Sequence, residues 1–312
     1  MRAFITGING FAGSHLALSL AGAGWEIVGV SEKPEYRGLL PQDTPVYLAD
    51  VCDTAALETN IREFAPTHIF HLAGFASPRL ARTSPLKCLR VNAEGTASLL
   101  EASYAAAPDA KIVVATTSHL HVPGADGSVD ENSPFQADNP YSISKLCASH
   151  FCRFYSRKGL HVVEARPANH YGPGQQKGFV VADFASQVAA IMLGQAEPPI
   201  RVGNLDVSRD FLYVGDVARA YMSLAEKGKS GEAYSIGSGS PVLIREILDT
   251  LVELSGKEMV VESDEGKVRP GEHLSVSVSP GKIMRDTGWR PEISLRDGLS
   301  KTLDYWLETI GK

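Results

Sequence analysis

The stretch Thr6-Gly7-Ile8-Asn9-Gly10-Phe11-Ala12-Gly13 follows a short apolar run at 2–6 and precedes a segment with helical periodicity at 14–23. A strand, a glycine turn and a helix in this order aim backbone N–H groups and the positive end of a helix dipole at one point. Gly7 permits a tight turn, Gly10 allows close approach to the backbone, and Gly13 lets the helix lie against the sheet. This context favours a site for the diphosphate of a dinucleotide over a purely structural turn.

Beyond this unit the chain alternates between short apolar runs and helical segments. Strands are predicted at 25–30, 46–49, 68–74, 111–115 and 162–166. Strands that alternate with helices predict an α/β fold with a doubly wound parallel sheet. From Pro167 the alternation gives way to Gly- and Pro-rich loops, and no low-complexity linker separates the two halves. We therefore expect a dinucleotide-binding domain over 1–168, to which the chain returns around 205–236, and a smaller interleaved α/β lobe formed mainly by 169–312.

Composition narrows the class of protein. The 312 residues exceed the usual size of one simple domain, and the net charge of −6 argues against nucleic acid and anionic membranes as main partners. No apolar run is long enough to span a bilayer, and the amino end reaches glycine too early for a signal peptide. The four cysteines have no C-x-x-C spacing and no partnering histidine cluster. Reduced thiols, no metal and a cytoplasmic location are expected.

Tyr141 and Lys145 lie four residues apart where a helix is predicted to begin. This spacing places them on one helix face, one turn apart. An ammonium beside a phenol lowers the phenol pKa, which gives a proton donor and acceptor usable near neutral pH. A hydroxyl from 116–118, at the carboxyl edge of the sheet, could hold the same substrate oxygen. If a nicotinamide lies opposite, the hydroxyl, Tyr141 and Lys145 could move a hydride and a proton at a carbinol or ketone. Taken alone, the Tyr–Lys pair is also typical of an exposed helix start.

Residues after the second and third strands are expected to contact the adenosine half of the dinucleotide. Glu32 would accept from the ribose hydroxyls and favours NAD(H), whereas Lys33 and Arg37 would favour NADP(H); both remain open, with NAD(H) preferred. Asp50 could accept from the adenine amino group or cap the helix that starts near Thr54, and the two roles are compatible. The expected cofactor-binding residues are Gly7, Asn9, Gly10, Phe11, Gly13, Ser31, Glu32, Asp50, Val51, Leu72, Ala73, Gly74, Tyr141 and Lys145.

Taken together, these residues resemble the extended short-chain dehydrogenase/reductase family of the NAD-dependent epimerase/dehydratase type. The motifs are T-G-x-x-G-F-x-G-S-H at 6–15, Asp50, H-L-A at 71–73, V-N at 91–92, the Thr/Ser run at 116–118 and Y-x-x-x-K at 141–145. The resemblance covers nearly the whole chain and implies a Rossmann-type NAD(P)-binding domain with Thr117, Tyr141 and Lys145 as the catalytic triad. Thr117 lies four residues before His121, where relatives carry the Tyr of a Ser/Thr-x-x-x-Tyr-Gly pattern; Thr116 and Ser118 remain alternatives. A homodimer through helices at 93–106 and 142–158 is also implied.

The carboxyl half is similar to the nucleotide-sugar members of this family, and within them to reductases and dehydratases of GDP-mannose-derived 4-keto-6-deoxy sugars. The similarity lies in R-P-A-N-H at 166–170, G-P-G-Q at 172–175, G-F-V at 178–180, R-V-G-N-L at 201–205, R-D-F at 209–211 and R-P-x-E at 269–272. Arginines that converge on a cleft would bind a diphosphate through bidentate pairs. By resemblance, the residues expected to contact a nucleotide-diphosphate sugar are His119, Asn169, Val180, Arg201, Arg209, Arg269 and Glu272.

The histidines mark a departure from the family pattern. A dehydratase that eliminates water across C5–C6 needs a carboxylate two residues after the catalytic Thr, and this position holds His119. The departure argues for a simpler redox step. His119 and His121 are interpreted as acid/base groups, a pH-sensitive pair or loop residues. His71 is predicted to be a packed core histidine, and Asn92 to tie backbone segments together.

Three functions follow from these expectations. The first is reduction at C4 of a GDP-linked 4-keto-6-deoxyhexose by NAD(P)H, with Tyr141 as the proton donor, Thr117 polarising the carbonyl, and Lys145 holding the cofactor ribose and lowering the pKa of Tyr141. The second is a nucleotide-sugar C4 epimerase with tightly bound NAD, which would use the same residues. The third is a cofactor-sensing protein without catalysis, which would need none of the triad.

Overall fold

In the computed structural model, residues 1–32, 39–41, 43–264, 266 and 274–312 are described. The strands are β1 (Arg2–Thr6), β2 (Glu26–Ser31), β3 (Val46–Leu48), β4 (His68–His71), β5 (Lys111–Ala115), β6 (Ser128–Val129), β7 (His161–Pro167), β8 (Asn169–Tyr171), β9 (Ile200–Val202), β10 (Ser208–Arg209), β11 (Phe211–Tyr213), β12 (Ala233–Ile236), β13 (Val242–Leu243), β14 (Val261–Ser263) and β15 (Ser275–Val278). The α-helices are α1 (Phe11–Gly22), α2 (Thr54–Phe64), α3 (Pro78–Thr83), α4 (Pro85–Leu89), α5 (Gly95–Ala106), α6 (Pro140–Arg157), α7 (Val180–Met192), α8 (Val214–Lys227), α9 (Ile244–Ser255), α10 (Gly281–Thr287) and α11 (Leu295–Gly311).

The largest sheet is parallel, with the strand order β12-β7-β5-β4-β1-β2-β3. Its central strands are short apolar runs buried on both faces, the pattern expected of a parallel sheet covered by helices. From β1 the order runs one way through β2 and β3, and the other way through β4 to β12. The chain therefore has a topological switch point between β1 and β4, where open α/β sheets bind ligands at the carboxyl ends of their strands.

Helices cover both faces of this sheet, as the α/β prediction requires. Successive strand residues point to opposite faces. Ile5 accordingly packs in the cluster that contains Leu16 of α1 and Val217 of α8. Phe4, its neighbour, packs in the cluster that contains Leu57 of α2 and Leu99 of α5. The predicted doubly wound α/β sheet is confirmed.

A separate apolar cluster lies in the carboxyl half. It joins α7, α9 and α11 through side chains that include Phe184, Leu248 and Leu303. Small sheets adjoin it: β11 pairs with β8, β14 pairs with β9, and a third sheet runs in the order β13-β10-β15-β6. Because β6 precedes α6 in the chain, this third sheet combines strands from both halves of the sequence.

The loop between β5 and α6 supplies one edge of the site. It contains a short 3₁₀ turn at Ser118–Leu120 as well as β6, and it ends at a helix cap. Asn139 accepts from the backbone N–H groups of Tyr141 and Ser142, and Pro140 follows the cap within the first turn of α6. This capping fixes the start of α6 and therefore the position of Tyr141 relative to β5.

Candidate active site

The glycine turn is packed too tightly for side chains. Gly7 has a φ of +71°, and a Cβ atom there would lie 2.6 Å from the Ala73 nitrogen. A Cβ atom on Gly13 would lie 2.2 Å from the Gly7 carbonyl oxygen. Among the described residues, no side chain caps α1, whose N-cap residue is Gly10. The turn thus has the cradle and the amide donors that suit a dinucleotide diphosphate.

Asn9 joins the turn to the end of β2, because its Nδ2 donates to the Ser31 hydroxyl over 3.2 Å. Two residues expected at the adenosine side are therefore adjacent. Glu32 follows and is exposed. Lys33 and Arg37, on which the NADP(H) alternative depends, lie outside the described residues.

Asp50 lies beyond β3 and is held by its neighbours. Its Oδ1 accepts from the backbone N–H of Cys52 at 2.9 Å, and its Oδ2 accepts from Arg90 at 2.8 Å. The side chain that caps α2 is Asp53, which accepts from the Ala56 nitrogen. The alternative in which Asp50 caps this helix is therefore wrong, because the cap lies three residues further along the chain.

Val51, next to Asp50, is buried against the start of α5, where a Cβ atom on Gly95 would lie 2.7 Å from Val51 Cγ1. Its side chain faces the protein in this arrangement.

At the other end of the site, Phe11 stacks on His170, with ring centroids 5.7 Å apart and planes at 7°. His170 belongs to a quoted motif, but was not among the expected site residues.

The segment Leu72–Gly74 continues from β4 beside the glycine turn. The Ala73 nitrogen donates to the Thr6 hydroxyl at 3.3 Å. A Cβ atom on Gly74 would lie 3.2 Å from Lys145 Nζ, so the bare glycine leaves space beside the ammonium. This space lies between the glycine turn and α6, where the resemblance expects the cofactor ribose.

Asn92 ties this segment to α6, as predicted. Its Oδ1 accepts from the Phe75 nitrogen at 2.7 Å, and its Nδ2 donates to Ser144 Oγ at 2.8 Å. Asn92 lies in a π turn at Arg90–Glu94 between α4 and α5, the type of helix defect that often marks functional sites. His71 is buried between Thr6 and Thr96, which confirms the prediction of a core histidine.

Tyr141 and Thr117 meet at the carboxyl edge of the sheet, and their side chains are hydrogen bonded. Both side chains are buried. Because Thr117 Oγ1 accepts from the His119 backbone N–H at 3.2 Å, the single hydroxyl proton of Thr117 can be donated to the Tyr141 oxygen. Thr117 is thus the hydroxyl among the three candidates that contacts the phenol, while Thr116 donates to Glu164 at 2.7 Å.

Lys145 lies one turn after Tyr141, and its Nζ donates to the Ala115 carbonyl at 2.9 Å. Burial lowers the pKa of Lys145 to about 8, against the opposing influence of Cys88, Cys152 and Glu164. An ammonium with this pKa is close to titration at neutral pH, which suits a residue that takes part in proton transfer.

The expected acidification of Tyr141 by Lys145 is wrong for the chain as it stands. Burial raises the pKa of Tyr141 to about 12, the hydrogen bond from Thr117 opposes the rise, and Cys88 adds to it. A buried phenolate loses its hydration, and this loss raises the pKa of Tyr141 more than the hydrogen bond from Thr117 lowers it. Tyr141 is therefore protonated at neutral pH, the state required of a proton donor.

His119 lies beside the catalytic edge and contacts the carboxyl half. Asn169 Nδ2 donates to the Asp210 carbonyl at 3.2 Å, so the Asn169 Oδ1 faces His119 Nε2 at 3.3 Å. The proton of the imidazole therefore lies on Nε2. Asn169 is opposite Phe211 in the pairing of β8 with β11, which brings two of the expected substrate-binding segments together.

The other expected substrate-binding residues are more dispersed. Val180 is the first residue of α7. Arg209 lies on β10 and donates to the Ser208 carbonyl at 2.7 Å. Arg201 lies on β9, where its guanidinium faces Glu262 at 3.5 Å on the exposed surface. Arg269 and Glu272 lie outside the described residues.

A buried ionic network beneath Thr117 was not predicted. Glu164 and Arg166, both on β7, form an ion pair at 2.8 Å. Arg166 Nη1 donates to His121 Nε2 at 3.0 Å, while His121 Nδ1 donates to the Ser133 carbonyl at 2.6 Å. Burial, followed by the Arg166 charge, lowers the pKa of His121. His121 is thus a neutral structural residue of the loop. The sequence signal for this network was the presence of two charged residues, Glu164 and Arg166, within the apolar run of β7.

In the part of the chain that the structure describes, no group of three or more His, Cys, Asp or Glu side chains could hold a metal ion. Among the helices seen here, none combines the length and apolar character needed to cross a membrane.

A doubly wound sheet with a glycine-rich first turn and a Thr–Tyr–Lys set at its carboxyl edge defines an enzyme of the extended short-chain dehydrogenase/reductase type. The chain belongs to the GDP-mannose 4,6 dehydratase family, whose sequence profile matches residues 4–302. It is 33% identical over 310 residues to GDP-6-deoxy-D-mannose reductase of Pseudomonas aeruginosa, which covers 98% of this chain and 97% of the relative.

Solved structures agree with this assignment. RMD from Pseudomonas aeruginosa, complexed with NADPH, superposes with a TM-score of 0.87 at 32% identity and covers 99% of each chain. The UDP-glucose 4-epimerase of Thermus thermophilus, in complex with NAD, superposes with a TM-score of 0.86 at 31% identity, covering 98% of this chain and 99% of that chain.

Proposed function

We propose that the protein is a nucleotide-sugar reductase that uses NAD(P)H to reduce C4 of a GDP-linked 4-keto-6-deoxyhexose. The face of α6 that carries Tyr141 and Lys145 lies against the end of β5, where Lys145 Nζ donates to the Ala115 carbonyl at 2.9 Å, two residues before Thr117; this placement is the observation that carries the proposal. The 33% identity to GDP-6-deoxy-D-mannose reductase, over nearly the full length of both proteins, supports the choice of substrate class.

The residues around the switch point suit a nicotinamide dinucleotide. The glycine turn would hold the diphosphate, Ser31 and Glu32 the adenosine ribose, and Lys145 the nicotinamide ribose. When bound, the reduced nicotinamide supplies the hydride. The complexes of the relatives with NADPH and with NAD leave the choice between the two cofactors to direct measurement.

In this mechanism Thr117 and Tyr141 bind the C4 carbonyl oxygen. Thr117 donates a hydrogen bond that polarises the carbonyl, and Tyr141 transfers its phenol proton to the oxygen as the carbon gains the hydride. The carbonyl thus gains a hydride and a proton and becomes a secondary alcohol. Because burial keeps the pKa of Tyr141 at about 12, the phenol is protonated before the step, and the tyrosinate recovers its proton from solvent afterwards.

His119 supports reduction over dehydration. An elimination across C5–C6 needs a base beside the sugar, and in this chain that position carries an imidazole whose proton lies toward Asn169. We propose that His119 and Asn169 contact the sugar. The nucleotide diphosphate would be contacted by Val180, Arg201, Arg209, Arg269 and Glu272. In this assignment residues 1–168 with 205–236 bind the cofactor, and most of 169–312 binds the nucleotide sugar.

The decisive assay follows cofactor oxidation with GDP-4-keto-6-deoxymannose, using NADH and NADPH in parallel. One equivalent of cofactor should be consumed for each alcohol formed. Tyr141→Phe should reduce turnover at least about 100-fold while dinucleotide affinity is retained. Tyr155→Phe, on the same helix, is the matched control and should leave turnover unchanged. Failure of the wild-type protein to oxidise either cofactor in the presence of the ketone would contradict the proposal.

A C4 epimerase is the second candidate, because the Thermus thermophilus relative at 31% identity is a UDP-glucose 4-epimerase. An epimerase would retain NAD through purification, interconvert two nucleotide sugars and consume no cofactor. A non-catalytic sensor would show the same biological output with Tyr141→Phe as with the wild-type protein. Each result differs from the stoichiometric oxidation expected of a reductase.

We also propose a homodimer. Helices α5 and α6 expose Tyr104, Ile143, Phe151 and Phe154, so an apolar face lies on the surface opposite the sheet. Pairing this face with a second copy would remove it from water. The four cysteines are free thiols, which is compatible with the proposed cytoplasmic location.

A further inference from the structure

Arg79 reaches from the cofactor side of the molecule to the carboxyl half. It lies on α3, which follows the Leu72–Gly74 segment. Its Nη2 is 3.8 Å from the position that a Cβ atom on Gly178 would occupy. Gly178 precedes Val180, one of the residues expected to contact the nucleotide sugar. Arg79 and Gly178 therefore face each other across the two sides of the site.

The helix that carries Arg79 is attached to the catalytic helix. Ala81 of α3 packs with Cys88 and Tyr141 in a small buried cluster. The backbone of α3 at Arg79 therefore has a fixed relation to the start of α6. A ligand bound beside Arg79 and Gly178 would be held at a defined distance from the reacting carbon.

No described residue gives Arg79 a structural partner that explains it. It is exposed, and within the described part of the chain it has neither an ion pair nor a hydrogen bond. It also lies in the first turn of α3, where a positive charge is not favoured by the helix dipole. The stability of α3 therefore gives no reason for an arginine at this position.

The surroundings favour an anion. Gly178 has a φ of +100° and no side chain, so the guanidinium has open access to the backbone at this position. Asp183 is the nearby acidic group, and its Oδ1 already accepts from the Gly178 nitrogen at 2.6 Å. Lys177 is held over the Trp306 ring, with Nζ 5.5 Å from the ring centroid. Among the described residues, Arg79 is thus a cation beside Gly178 whose hydrogen-bond donors are unused.

We propose that Arg79 binds the diphosphate of the nucleotide sugar and determines specificity for a diphosphorylated substrate. This inference rests on the proposed function. A guanidinium binds phosphate oxygens through two parallel hydrogen bonds, which fixes the orientation of the group as well as its charge. Arg79 holds the substrate and takes no part in proton transfer, so its loss should affect binding and leave the chemical step intact.

The test compares Arg79→Gln with Arg82→Gln. Arg82 is also exposed and lies in the last turn of the same helix. Arg79→Gln should raise KM about tenfold or more and leave kcat within about twofold, because one charged hydrogen-bond pair is lost. Arg82→Gln should match the wild-type protein in both constants. Arg79→Lys should recover only part of the loss because an ammonium cannot form the bidentate pair.

Equilibrium binding separates this inference from the proposed function. Affinities for GDP, UDP and guanosine are measured by titration calorimetry with all four proteins. Arg79→Gln should weaken whichever diphosphate the wild-type protein binds, with guanosine affinity and thermal midpoint unchanged. Equal diphosphate affinities for Arg79→Gln and Arg82→Gln would overturn the inference. If the wild-type protein oxidises no cofactor with the GDP-linked ketone but Arg79→Gln still loses UDP affinity, the proposed substrate is wrong and the role of Arg79 stands.

Discussion

Arg166 donates two parallel hydrogen bonds to Glu164, from Nε to Oε1 and from Nη2 to Oε2, each 2.8 Å long. Both side chains are buried, with Arg166 fully enclosed and Glu164 only 3% exposed. Burial alone would raise the pKa of Glu164, but Arg166, with hydrogen bonds from Thr116 and Ser149, lowers it below its ordinary value. The carboxylate is therefore charged, and the network joins Thr116, which precedes Thr117, to β7 and α6.

Arg166→Met should destabilise the protein by about 3–5 kcal/mol, because a buried carboxylate loses its cation. The matched control is Arg296→Met, which removes an exposed Arg–Glu pair, also at 2.8 Å, and should cost at most about 1 kcal/mol. Urea unfolding at pH 7 measures both. Equal losses for the two variants would mean that the buried pair contributes no more than a surface pair.

Lys145→Met should stabilise the protein at pH 7 while abolishing turnover. Burial lowers the pKa of Lys145 to about 8 from the ordinary value of 10.5, so the folded chain releases this proton more readily than the unfolded chain. The shift corresponds to a cost of about 3 kcal/mol at neutral pH, partly offset by the hydrogen bond to Ala115. The advantage of the variant should shrink as the pH rises from 8 to 10.5. Thermal unfolding across this range checks it, and a variant less stable than wild type by the same amount at every pH would refute the argument.

Gly13→Ala should impair both folding and dinucleotide binding, because the new Cβ atom would lie 2.2 Å from the Gly7 carbonyl oxygen. Moving that carbonyl disturbs the turn that would hold the diphosphate. Gly22→Ala, at the end of the same helix, meets no atom within 4 Å and should be neutral or stabilising by up to about 1 kcal/mol. Fluorescence titration with NADH and NADPH, together with the thermal midpoint, distinguishes the two. Wild-type affinity in Gly13→Ala would exclude the turn as the diphosphate site.

His71 should make the protein sensitive to mild acid. Burial, with a smaller influence from Lys145, lowers the pKa of His71 to about 3. Since the unfolded chain takes up this proton near pH 6.5, stability should fall as the pH drops below 6.5, by about 2 kcal/mol at pH 5. His71→Gln should show a shallower decline over pH 6.5–4 than wild type, whereas the exposed His150→Gln should follow wild type. Parallel curves for all three proteins would rule out His71 as the source.

Phe154→Glu should convert the proposed homodimer to monomers, because it would place a charge within the exposed apolar face of α5 and α6. Phe154 is 53% exposed in the single chain. Leu86→Glu is the control, since Leu86 is 81% exposed on α4, outside this face. Light scattering coupled to size exclusion gives the mass. A monomeric wild-type protein, or a dimeric Phe154→Glu variant, would count against this interface.

The sheet was predictable because local pattern and final burial agree. β1 and β5 begin and end at the predicted residues, since each is an apolar run buried on both faces. α7, by contrast, begins at Val180, in the half where the alternation of strands and helices stops, and Val180–Ala185 is apolar without a clear helical period. The helical structure of this segment depends on its packing in the apolar cluster of the carboxyl half, and such packing cannot be inferred from the segment's own sequence.

The positions of site residues were predictable where the residues belong to a sequence motif. Properties that depend on burial in the folded protein were not. The spacing of Tyr141 and Lys145 gave their common face, but the pKa of Tyr141 depends on desolvation, which spacing does not reveal. Asp50 and Asp53 both precede α2, and only the geometry separates the helix cap from the partner of Arg90. The Glu164–Arg166 pair depends on contacts with residues distant in sequence.

The edge strand β12 has a consequence for biosynthesis. It pairs with β7 in parallel register from Ala233 to Ile236, far along the chain from the strands beside it. A nascent chain that has left the ribosome only as far as residue 168 still has an open sheet edge at β7 and lacks α8 over one face. Translation must proceed past Ile236 before this edge closes, so truncations that stop earlier should yield aggregating fragments in place of an autonomous cofactor-binding half.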